Sequence, residues 1–328
     1  MNILILNYDE VERLLPMQEC VEVMAEALAA LSSGQLHQPL RMVVRPPDAV
    51  GLMGLMPAYR AGAQATYGLK AVCVFPGNTA LGKDAHQGSV TLFSGATGEL
   101  LALLNASAIT AIRTGAVSAV ATRLLAREDA GELALLGTGV QARSHLAAMA
   151  CARPIRRARV VSRDPDHARA FAAELRPLYP FPIEPAANPE AAVRGADIVV
   201  TATTAAEPVI RREWLAPGTH INAVGSSIPT TRELDTATLA AAELFVDRRE
   251  STLNESGDYL FAMREGAIGP DHIRAEVGEL LLGAQPGRSS AAAITVFKSL
   301  GLAVEDLAAA EYVYRQAQAQ GAGTWVEF

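Results

Sequence analysis

Cysteine, aromatic residues and net positive charge are all scarce in this sequence. The three cysteines, Cys20, Cys73 and Cys151, lack the paired spacing of a disulfide framework or a zinc site, so we expect reduced thiols. Only 5% of the residues are aromatic, which favours helices packed on sheets over an aromatic-rich β-sandwich. A net charge of -7 without a basic block argues against nucleic-acid binding. The composition therefore predicts a small-molecule partner.

Long apolar runs and several familiar catalytic motifs are also absent. No segment approaches about 18 consecutive apolar residues, and the first ten residues carry no basic leader, so we expect a cytoplasmic protein without a membrane segment. The patterns His-Glu-x-x-His and Gly-x-Ser-x-Gly do not occur. We therefore expect no metal site and no serine-hydrolase chemistry.

The order of predicted elements differs between the two parts of the chain. Strand patterns at 38–47, 51–59, 67–75 and 87–94 follow one another directly, which predicts a mostly antiparallel first lobe. After a helix rich in small residues, strands and helices alternate, which predicts a doubly wound parallel sheet. A final amphipathic helix at 302–320 lies beyond the last strand signal, and we expect it to return to the first lobe.

These patterns predict an α/β protein with two domains, since 328 residues exceed one comfortable core. A Rossmann-type domain would comprise residues 118–303 and bind a dinucleotide. A discontinuous α+β domain would comprise residues 1–117 plus 304–328. It would bind the substrate.

The stretch Gly137-Thr-Gly139-Val140-Gln141-Ala142 follows a short apolar run and opens an alanine-rich helical pattern. This order is typical of the strand, turn and helix of a dinucleotide-binding unit. Gly137 would allow a sharp turn, Gly139 would let the backbone approach a pyrophosphate, and Ala142 would stand for the third glycine. The helix N-terminus would offer N–H groups and a positive dipole end to the phosphates.

The residues about 20 positions beyond the glycine turn bear on the choice of cofactor. An acidic side chain there would hold the ribose 2′-hydroxyl of NAD, but the chain reads Ser162-Arg163-Asp164. A hydroxyl and a guanidinium suit a 2′-phosphate, because arginine pairs with it bidentately. NADPH is therefore the predicted cofactor. NADH is the alternative, which one residue of slippage toward Asp164 would favour.

Three cations of the first lobe lie in segments that otherwise carry few charges. Arg41 and Lys70 are predicted on apolar strands and Arg113 in the small-residue helix. Each must reach solvent, a partner or an anionic ligand, because an unpaired buried charge is costly. Taken alone, each of these cations is typical of a surface residue whose charged end reaches solvent. Together they would clamp a substrate carboxylate, and Lys70 would act as a proton donor or base if the other cations lower its pKa. We interpret His86 as a loop histidine, with substrate contact as the alternative, and His145 as structural.

Nine short blocks occur in order along nearly the whole chain. They are Gln38-Pro-Leu-Arg41, Met56-Pro-Ala-Tyr59, Gly68-Leu-Lys70, Ile109-Thr-Ala-Ile-Arg113-Thr114, Gly137-Thr-Gly-Val-Gln-Ala142, Asn222-Ala-Val-Gly225-Ser-Ser-Ile-Pro229, Arg232-Glu-Leu-Asp235, Glu255-Ser-Gly-Asp258 and Val296-Phe-Lys-Ser-Leu-Gly301. In this order the blocks resemble the ornithine cyclodeaminase and mu-crystallin family. The resemblance is specific for the family and much less specific for one reaction.

The resemblance implies a homodimer whose first lobes join through their sheets, with a nicotinamide cofactor bound by each second lobe. It also implies that Arg41, Lys70 and Arg113 face the substrate carboxylate, with Met56 and Tyr59 as further substrate-binding residues. The implied cofactor-binding residues are Thr114, Gly137, Gly139, Val140, Gln141, Ser162, Arg163, Thr201, Thr203, Val224 and Ser226.

The sequence departs from the cyclodeaminases of this family at Ser227, where they place a catalytic aspartate. Their aspartate handles the protons of the attacking amine, and a serine removes that base. Reducing a preformed imine requires only a hydride, a carboxylate clamp and a proton from Lys70. The site thus resembles that of the ketimine reductases, with Lys70 and Ser227 as catalytic residues. We expect NADPH-dependent reduction of a small carboxylate-bearing imine, such as pyrroline-2-carboxylate or piperideine-2-carboxylate, to an L-amino acid.

Two other functions stay open at this point. An NAD-dependent amino-acid dehydrogenase, or an ornithine or lysine cyclodeaminase, would need another acid, such as Asp235 or Asp258, in place of the missing aspartate. A cofactor-dependent protein that binds a small ligand without turnover would not need Lys70 for chemistry.

Overall fold

The computed structural model describes residues 2–328, which form two compact units. The first unit extends to Arg113 and resumes with Leu302–Phe328, and the second unit is Thr114–Gly301. The chain therefore leaves the first unit and returns to it at the C-terminal end. The roles of the units in binding substrate and cofactor stay predictions.

Strands and helices follow one another along both units of the chain. The first unit begins with β1 (Asn2–Leu6), α1 (Tyr8–Leu14), α2 (Met17–Ser32), β2 (Leu36–His37), β3 (Met42–Val44), β4 (Leu52–Arg60), β5 (Thr66–Val74), β6 (His86–Ser94), β7 (Leu100–Asn105) and α3 (Ala106–Leu125), which runs into the second unit. The second unit continues with β8 (Glu132–Leu136), α4 (Val140–Ala152), β9 (Arg157–Val161), α5 (Pro165–Leu175), β10 (Ile183–Pro185), α6 (Pro189–Val193), β11 (Ile198–Thr201), β12 (His220–Ala223), α7 (Thr236–Ala241), β13 (Glu243–Val246), α8 (Arg249–Glu255), α9 (Gly257–Arg264), β14 (Ile273–Glu276), α10 (Val277–Leu281) and β15 (Thr295–Lys298). The first unit ends with α11 (Ala303–Gln320) and β16 (Thr324–Glu327).

The sheet of the first unit is mostly antiparallel, as predicted. Its order is β16-β1-β7-β6-β5-β4-β2, with β3 also paired to β4, and β1 is parallel to β7. Lys70 in β5 pairs with Met56 in β4 and Val90 in β6, so these three side chains share one face. Helix α11 packs on this face, since Asp306 contacts Lys70.

Helix α11 returns to the first unit, as predicted, and its first half is buried more completely than an amphipathic pattern implies. Every residue from Ala303 to Ala310 is buried, including Glu305 and Asp306. The run of alanines allows the helix to approach the sheet closely, and at Gly68 an added Cβ would lie 2.9 Å from a methyl carbon of Leu307. Two carboxylates therefore lie inside the first unit.

Helix α3 is rich in small residues and packs closely against α4. A Cβ added at Gly115 would lie 2.9 Å from the carbonyl oxygen of Ser144. Among the described helices, α3 alone has the length and composition to cross a membrane, but 78% of its most apolar stretch is buried in the protein. Burial of this extent is typical of a core helix.

The sheet of the second unit is entirely parallel, in the order β10-β9-β8-β11-β12-β15-β13-β14. The strand order reverses at β8, because β9 and β10 lie on one side and β11 and β12 on the other. This confirms the doubly wound Rossmann-type arrangement, in which ligands bind beyond the carboxyl ends of the strands at the switch point. The loops after β8, β11 and β12 lie at that edge.

Several strands differ from the sequence-based predictions. The continuous strand expected at 38–47 is replaced by the short β2 and β3, with an irregular segment between them. Pro39 in that segment has no N–H to donate to a ladder, and Arg41 therefore lies in the irregular segment rather than on a strand. No sequence pattern predicted β14, β15 and β16, which are only four residues long. All four residues of β15 are buried, so it shows no alternation of polar and apolar residues.

Candidate active site

The glycine turn after β8 has the geometry that the motif predicts. Gly137 has a φ of +116°, and a Cβ there would overlap the carbonyl oxygen of Ala202 in the loop after β11. Gly139 is the N-cap of α4, and nothing lies within 4 Å of an added Cβ. Val140 and Gln141 open the helix. In the structure of residues 2–328, no side chain caps its first turn, and that turn contains no acidic residue. Open space and uncapped N–H groups at one helix end fit a bound phosphate.

The end of β9 presents a hydroxyl and a guanidinium. The Ser162 hydroxyl accepts a hydrogen bond from the Thr138 hydroxyl at 3.4 Å, and Arg163 is exposed. Asp164 is the N-cap of α5, and its Oδ1 accepts from the backbone N of Asp166 at 2.9 Å. The carboxylate that would favour NADH is therefore engaged in capping a helix.

A buried carboxylate, Glu233, organises the loops after β11 and β12; it lies within the block Arg232-Glu-Leu-Asp235, but the sequence analysis gave it no role. Its Oε2 accepts from the Thr201 hydroxyl and the backbone N of Gly225, both at 2.7 Å. Its Oε1 accepts from the backbone N of Thr203 at 2.8 Å and from the Thr203 hydroxyl at 2.7 Å. Burial raises the pKa of Glu233, while the charge of Lys298 opposes that shift. The predicted cofactor-binding hydroxyls of Thr201 and Thr203 thus bind Glu233.

A second buried carboxylate supports the segment that carries Glu233. Oδ1 of Asp258 accepts from the backbone N of Glu233 at 2.8 Å and of Leu234 at 2.9 Å. Its Oδ2 lies 2.9 Å from Nζ of Lys298, and both side chains are buried. Asp235 is the N-cap of α7, with Oδ1 accepting from the backbone N of Thr238 at 2.8 Å. Asp235 and Asp258, the two acids considered as replacements at Ser227, therefore hold the backbone of their own unit.

The loop after β12 contains Val224, Ser226 and Ser227. The backbone N of Val224 donates to the carbonyl of Thr201 at 3.0 Å. The Ser226 hydroxyl is buried and donates to the carbonyl of Thr231 at 2.5 Å, so it stabilises the loop. Ser227 is partly exposed. Of the two serines, Ser227 is the more accessible one at the carboxyl edge of the sheet. Thr114, another predicted cofactor-binding residue, is buried on α3 at the start of the second unit.

Lys70 is buried in the first unit, with 4% of its surface exposed. Its Nζ lies 2.7 Å from Oδ2 of Asp306 and donates to the hydroxyl of Thr110 at 3.4 Å. Burial lowers the pKa of Lys70 to about 8, Asp306 opposes this shift, and Arg113 and Arg41 add to it. Burial therefore lowers this pKa more than the neighbouring cations do, although the sequence had suggested the cations as the cause.

Arg113 is buried beside Lys70 and shares its carboxylate partner. Its Nε donates to Oδ1 of Asp306 at 2.9 Å, and its Nη1 donates to Oε2 of Glu305 at 2.8 Å. Burial alone would raise the pKa of Asp306, but Arg113 and Lys70 lower it below its ordinary value. Asp306 is therefore a carboxylate that contacts both cations.

Arg41 and His86 complete the set of charged and titratable groups near Lys70. Arg41 is partly exposed in the irregular segment before β3, and its charge reaches Lys70. His86 is the first residue of β6 rather than a loop residue. Burial, together with the charges of Lys70 and Arg113, lowers the pKa of His86, so the imidazole is neutral at neutral pH. His145, by contrast, is fully buried on α4 between the carbonyl of Gln141 and the hydroxyl of Ser118, as a structural residue.

The two substrate-binding residues expected on β4 lie on opposite faces of the sheet. Met56 pairs directly with Lys70 and shares its buried face. Tyr59 pairs with Tyr67, and their rings lie 4.6 Å apart on the other face. Because side chains alternate along a strand, three residues of separation place Tyr59 away from Lys70. The structure therefore brings Met56 to the cations and does not bring Tyr59 there.

The acidic partners of the cations are the main site residues that sequence reasoning did not identify. Glu305 and Asp306 stand side by side in an alanine-rich helix, and two charges in an otherwise apolar buried turn were the available signal. Within residues 2–328, no group of three or more His, Cys, Asp or Glu side chains is arranged to hold a metal ion.

The second unit has a doubly wound parallel sheet with an open glycine turn, and the first unit has buried, paired cations. Together these features define a class of nicotinamide-dependent enzyme. The chain is an NAD(P)-dependent oxidoreductase of the class that acts on CH–NH or C=N bonds. It belongs to the ornithine cyclodeaminase/mu-crystallin family, whose model matches residues 1–321.

Proteins of bacteria, mammals and archaea are similar to this chain over most of its length. A Delta(1)-pyrroline-2-carboxylate reductase of Bacillus cereus is 39% identical over 326 residues, which are 99% of this chain and 100% of the relative. The ketimine reductase mu-crystallin of Mus musculus is 42% identical over 291 residues, 88% of each chain. The structure of Thermococcus litoralis Delta(1)-pyrroline-2-carboxylate reductase in complex with NADH and L-proline superposes with a TM-score of 0.95 at 38% identity. It covers 98% of this chain and 99% of that one.

Proposed function

We propose that the protein reduces a small cyclic ketimine that carries a carboxylate, such as pyrroline-2-carboxylate or piperideine-2-carboxylate, to the L-amino acid with NADPH. Relatives at 39% and 42% identity carry the names of a pyrroline-2-carboxylate reductase and a ketimine reductase. The observation that carries the proposal is the buried Lys70, with its lowered pKa, beside Arg113 on one face of the first-unit sheet.

The charges around Lys70 favour a substrate that carries a carboxylate. Three cationic side chains come together here: Lys70 and Arg113 contact Asp306 and Glu305, and the charge of Arg41 acts on Lys70. His86 adds no charge at neutral pH, because its pKa is lowered. A positive potential in a partly buried site attracts an anion, and arginine side chains bind a carboxylate with directed hydrogen bonds.

The proposed reaction places a proton donor and a carboxylate clamp on the first unit. Arg41 and Arg113 hold the carboxylate, with Met56 beside them, and Lys70 donates a proton to the imine nitrogen. The bound nicotinamide cofactor supplies the hydride that the imine carbon accepts. Lys70 then regains its proton from solvent, and the products are the amino acid and oxidised cofactor. We propose the Ser227 hydroxyl as the further catalytic group that orients the substrate.

The rival amino-acid dehydrogenase or cyclodeaminase would need an acid in place of the missing aspartate. Asp235 caps α7, and Asp258 binds two backbone N–H groups and Lys298. Moving either side chain to a new role would leave buried polar groups unpaired, which is costly. The engagement of both acids therefore favours imine reduction over amine oxidation.

Steady-state assays with NADPH and each of the two cyclic imines test the proposed reaction. We expect consumption of NADPH and formation of proline or pipecolate in equal amounts. Failure to turn over either imine, together with NAD-dependent ammonia release from ornithine or reductive amination of pyruvate, would establish the rival function. Tight NADPH binding without hydride transfer to any imine would instead indicate a binding protein.

The residues at the end of β9 support NADPH as the preferred cofactor. Arg163 is exposed there, and the carboxylate of Asp164 is engaged at the N-terminus of α5. We expect Arg163→Ala to raise KM for NADPH about tenfold or more and to leave KM for NADH nearly unchanged, because one charge-assisted phosphate contact is lost. Arg169→Ala, an exposed arginine on α5 that pairs with Asp166, is the matched control. A parent enzyme with a higher kcat/KM for NADH than for NADPH would contradict the prediction.

A further inference from the structure

We propose that Asp306 is a positioning residue that holds the Lys70 ammonium in place for proton transfer, while the adjacent Glu305 serves Arg113 and carboxylate binding. The inference rests on the proposed function, since it assigns Lys70 the role of proton donor. It divides two neighbouring carboxylates of one helix between the two tasks of the site, protonation and substrate binding.

The first half of the proposal, that Asp306 positions Lys70, rests on the contacts of Asp306. Its Oδ2 lies 2.7 Å from Nζ of Lys70, and its Oδ1 accepts from Nε of Arg113 at 2.9 Å. Only 1% of the Asp306 side chain is exposed, so solvent screens these contacts little. A carboxylate that is bound by a guanidinium on one side has a fixed orientation, and its other oxygen then fixes the position of Nζ.

The second half of the proposal, that Glu305 serves Arg113, rests on the contacts of Glu305. Its Oε2 accepts from Nη1 of Arg113 at 2.8 Å and from the backbone N of Leu302 at 3.1 Å. Glu305 therefore ties the far end of the Arg113 guanidinium to the start of α11. Asp306 contacts both cations and Glu305 adds a second contact to Arg113, so Glu305→Gln alters the clamp while the carboxylate beside Lys70 remains.

Charged groups on α11, on α3 and in the segment before β3 act on the titration of Lys70. Asp306 on α11 favours the ammonium form, whereas Arg113 on α3 and Arg41 before β3 disfavour it. His86 on β6 is close enough for Lys70 to lower its pKa. Asp306 is therefore the carboxylate whose removal acts directly on the protonation of Lys70.

The test is the pH dependence of kcat/KM for imine reduction in Asp306→Asn, Glu305→Gln and the parent enzyme. The donor is the ammonium form, so activity falls as the pH rises through the pKa of Lys70. Removing the charge of Asp306 lowers that pKa, and the alkaline limb of the Asp306→Asn profile should move about one pH unit lower. We expect Glu305→Gln to raise KM for the imine about tenfold while its alkaline limb stays in place.

Glu311→Gln is the matched control on the same helix. Glu311 is a largely buried carboxylate that accepts from Nε of Arg60 at 2.7 Å, away from Lys70 and Arg113. Its loss should change neither the pH profile nor KM, and thermal unfolding of all three variants reports their stability. An Asp306→Asn profile that falls uniformly, with the limb unmoved, would overturn the proposal because a purely structural role predicts that result.

A second variant covers the case in which Asp306→Asn does not fold. Asp306→Glu keeps the buried negative charge but displaces the carboxylate by one methylene, so we expect kcat to fall about tenfold while KM for NADPH stays within about twofold. An Asp306→Glu enzyme with the parent kcat would overturn the positioning role. If Lys70→Met retains the parent turnover, the proposed function itself fails. If Lys70→Met loses turnover but the alkaline limb of the Asp306→Asn profile does not move, only the role of Asp306 is rejected.

Discussion

The chemistry of Lys70 depends on what surrounds a single amine. An exposed lysine has a pKa of about 10.4 and is a slow proton donor at neutral pH. In the first unit, burial lowers the pKa of Lys70 to about 8, within the range where an ammonium both persists and gives up its proton readily. Asp306 and Thr110 contact the amine, so the side chain is also held in place. One buried strand position thereby becomes suited to acid catalysis.

The lowered pKa of Lys70 predicts both a mutant phenotype and a pH profile. Lys70→Met should reduce turnover of the imine by about 10²- to 10⁴-fold, because the proton donor is lost while the apolar stem is kept. In the parent enzyme, kcat/KM should fall as the pH rises above about 8, since the ammonium form is the donor. Lys83→Met, which alters an exposed lysine before β6, is the control and should keep the parent activity. A parent profile that rises through this pH range would contradict the assignment.

At the scale of elements, the loops after β8, β11 and β12 are joined by backbone contacts and by one carboxylate. Gly137 lies against the carbonyl of Ala202, and Glu233 binds the loops after β11 and β12. The N-terminus of α4 is left without a capping side chain. Such connected loops around an uncapped helix end fit the phosphate site that the glycine motif predicts.

The two glycines of the turn should respond differently to the same substitution. Gly137→Ala forces a side chain into a φ of +116° and against the Ala202 carbonyl, so we expect it to destabilise the protein by about 1–3 kcal/mol. Gly139→Ala meets open space and should leave the unfolding temperature nearly unchanged while weakening cofactor binding. Thermal unfolding and NADPH titration separate the two effects. Equal loss of stability in both variants would contradict this interpretation of the turn.

At the scale of the whole molecule, the first-unit sheet presents apolar side chains to the exterior. On the face opposite Lys70, its exposed large apolar residues include Met42, Val44, Met53 and Tyr67. Exposed apolar side chains on one sheet face are typical of a protein–protein interface. We propose that it joins two copies of the chain into a homodimer, as the family resemblance implies.

A charged substitution on this surface tests the homodimer. Val44 is 48% exposed on β3 and pairs with Met53 on that face, and Val44→Glu should convert the dimer to monomers, because a carboxylate buried in an apolar interface is unpaired. Leu178→Glu, at an exposed apolar position of the second unit, is the matched control and should remain dimeric. Light scattering coupled to size-exclusion chromatography measures both masses. A monomeric parent enzyme would reject the prediction outright.

Much of the fold followed from local patterns. The glycine turn was located correctly, because Gly137 needs a backbone conformation that few other residues adopt. The alternation of strands and helices predicted the doubly wound sheet, which the structure confirms. The helix at 302–320 was predicted within one residue at its start, yet its burial was not, because alanine is compatible with both a surface and a core position.

The sequence by itself determined the cofactor turn, the parallel sheet and the presence of Lys70 and Arg113 on apolar elements, since each is encoded within a short stretch. Only the tertiary structure decided which carboxylates meet those cations and which face of β4 they share. Arg113 and Asp306 are 193 residues apart in the chain, and no local pattern encodes a contact at that separation. Glu233, likewise, accepts from the backbone N of Thr203 and of Gly225, which lie in two different loops. The pairing of buried charges depends on how elements that are distant in the sequence pack together, and this packing exists only in the folded chain.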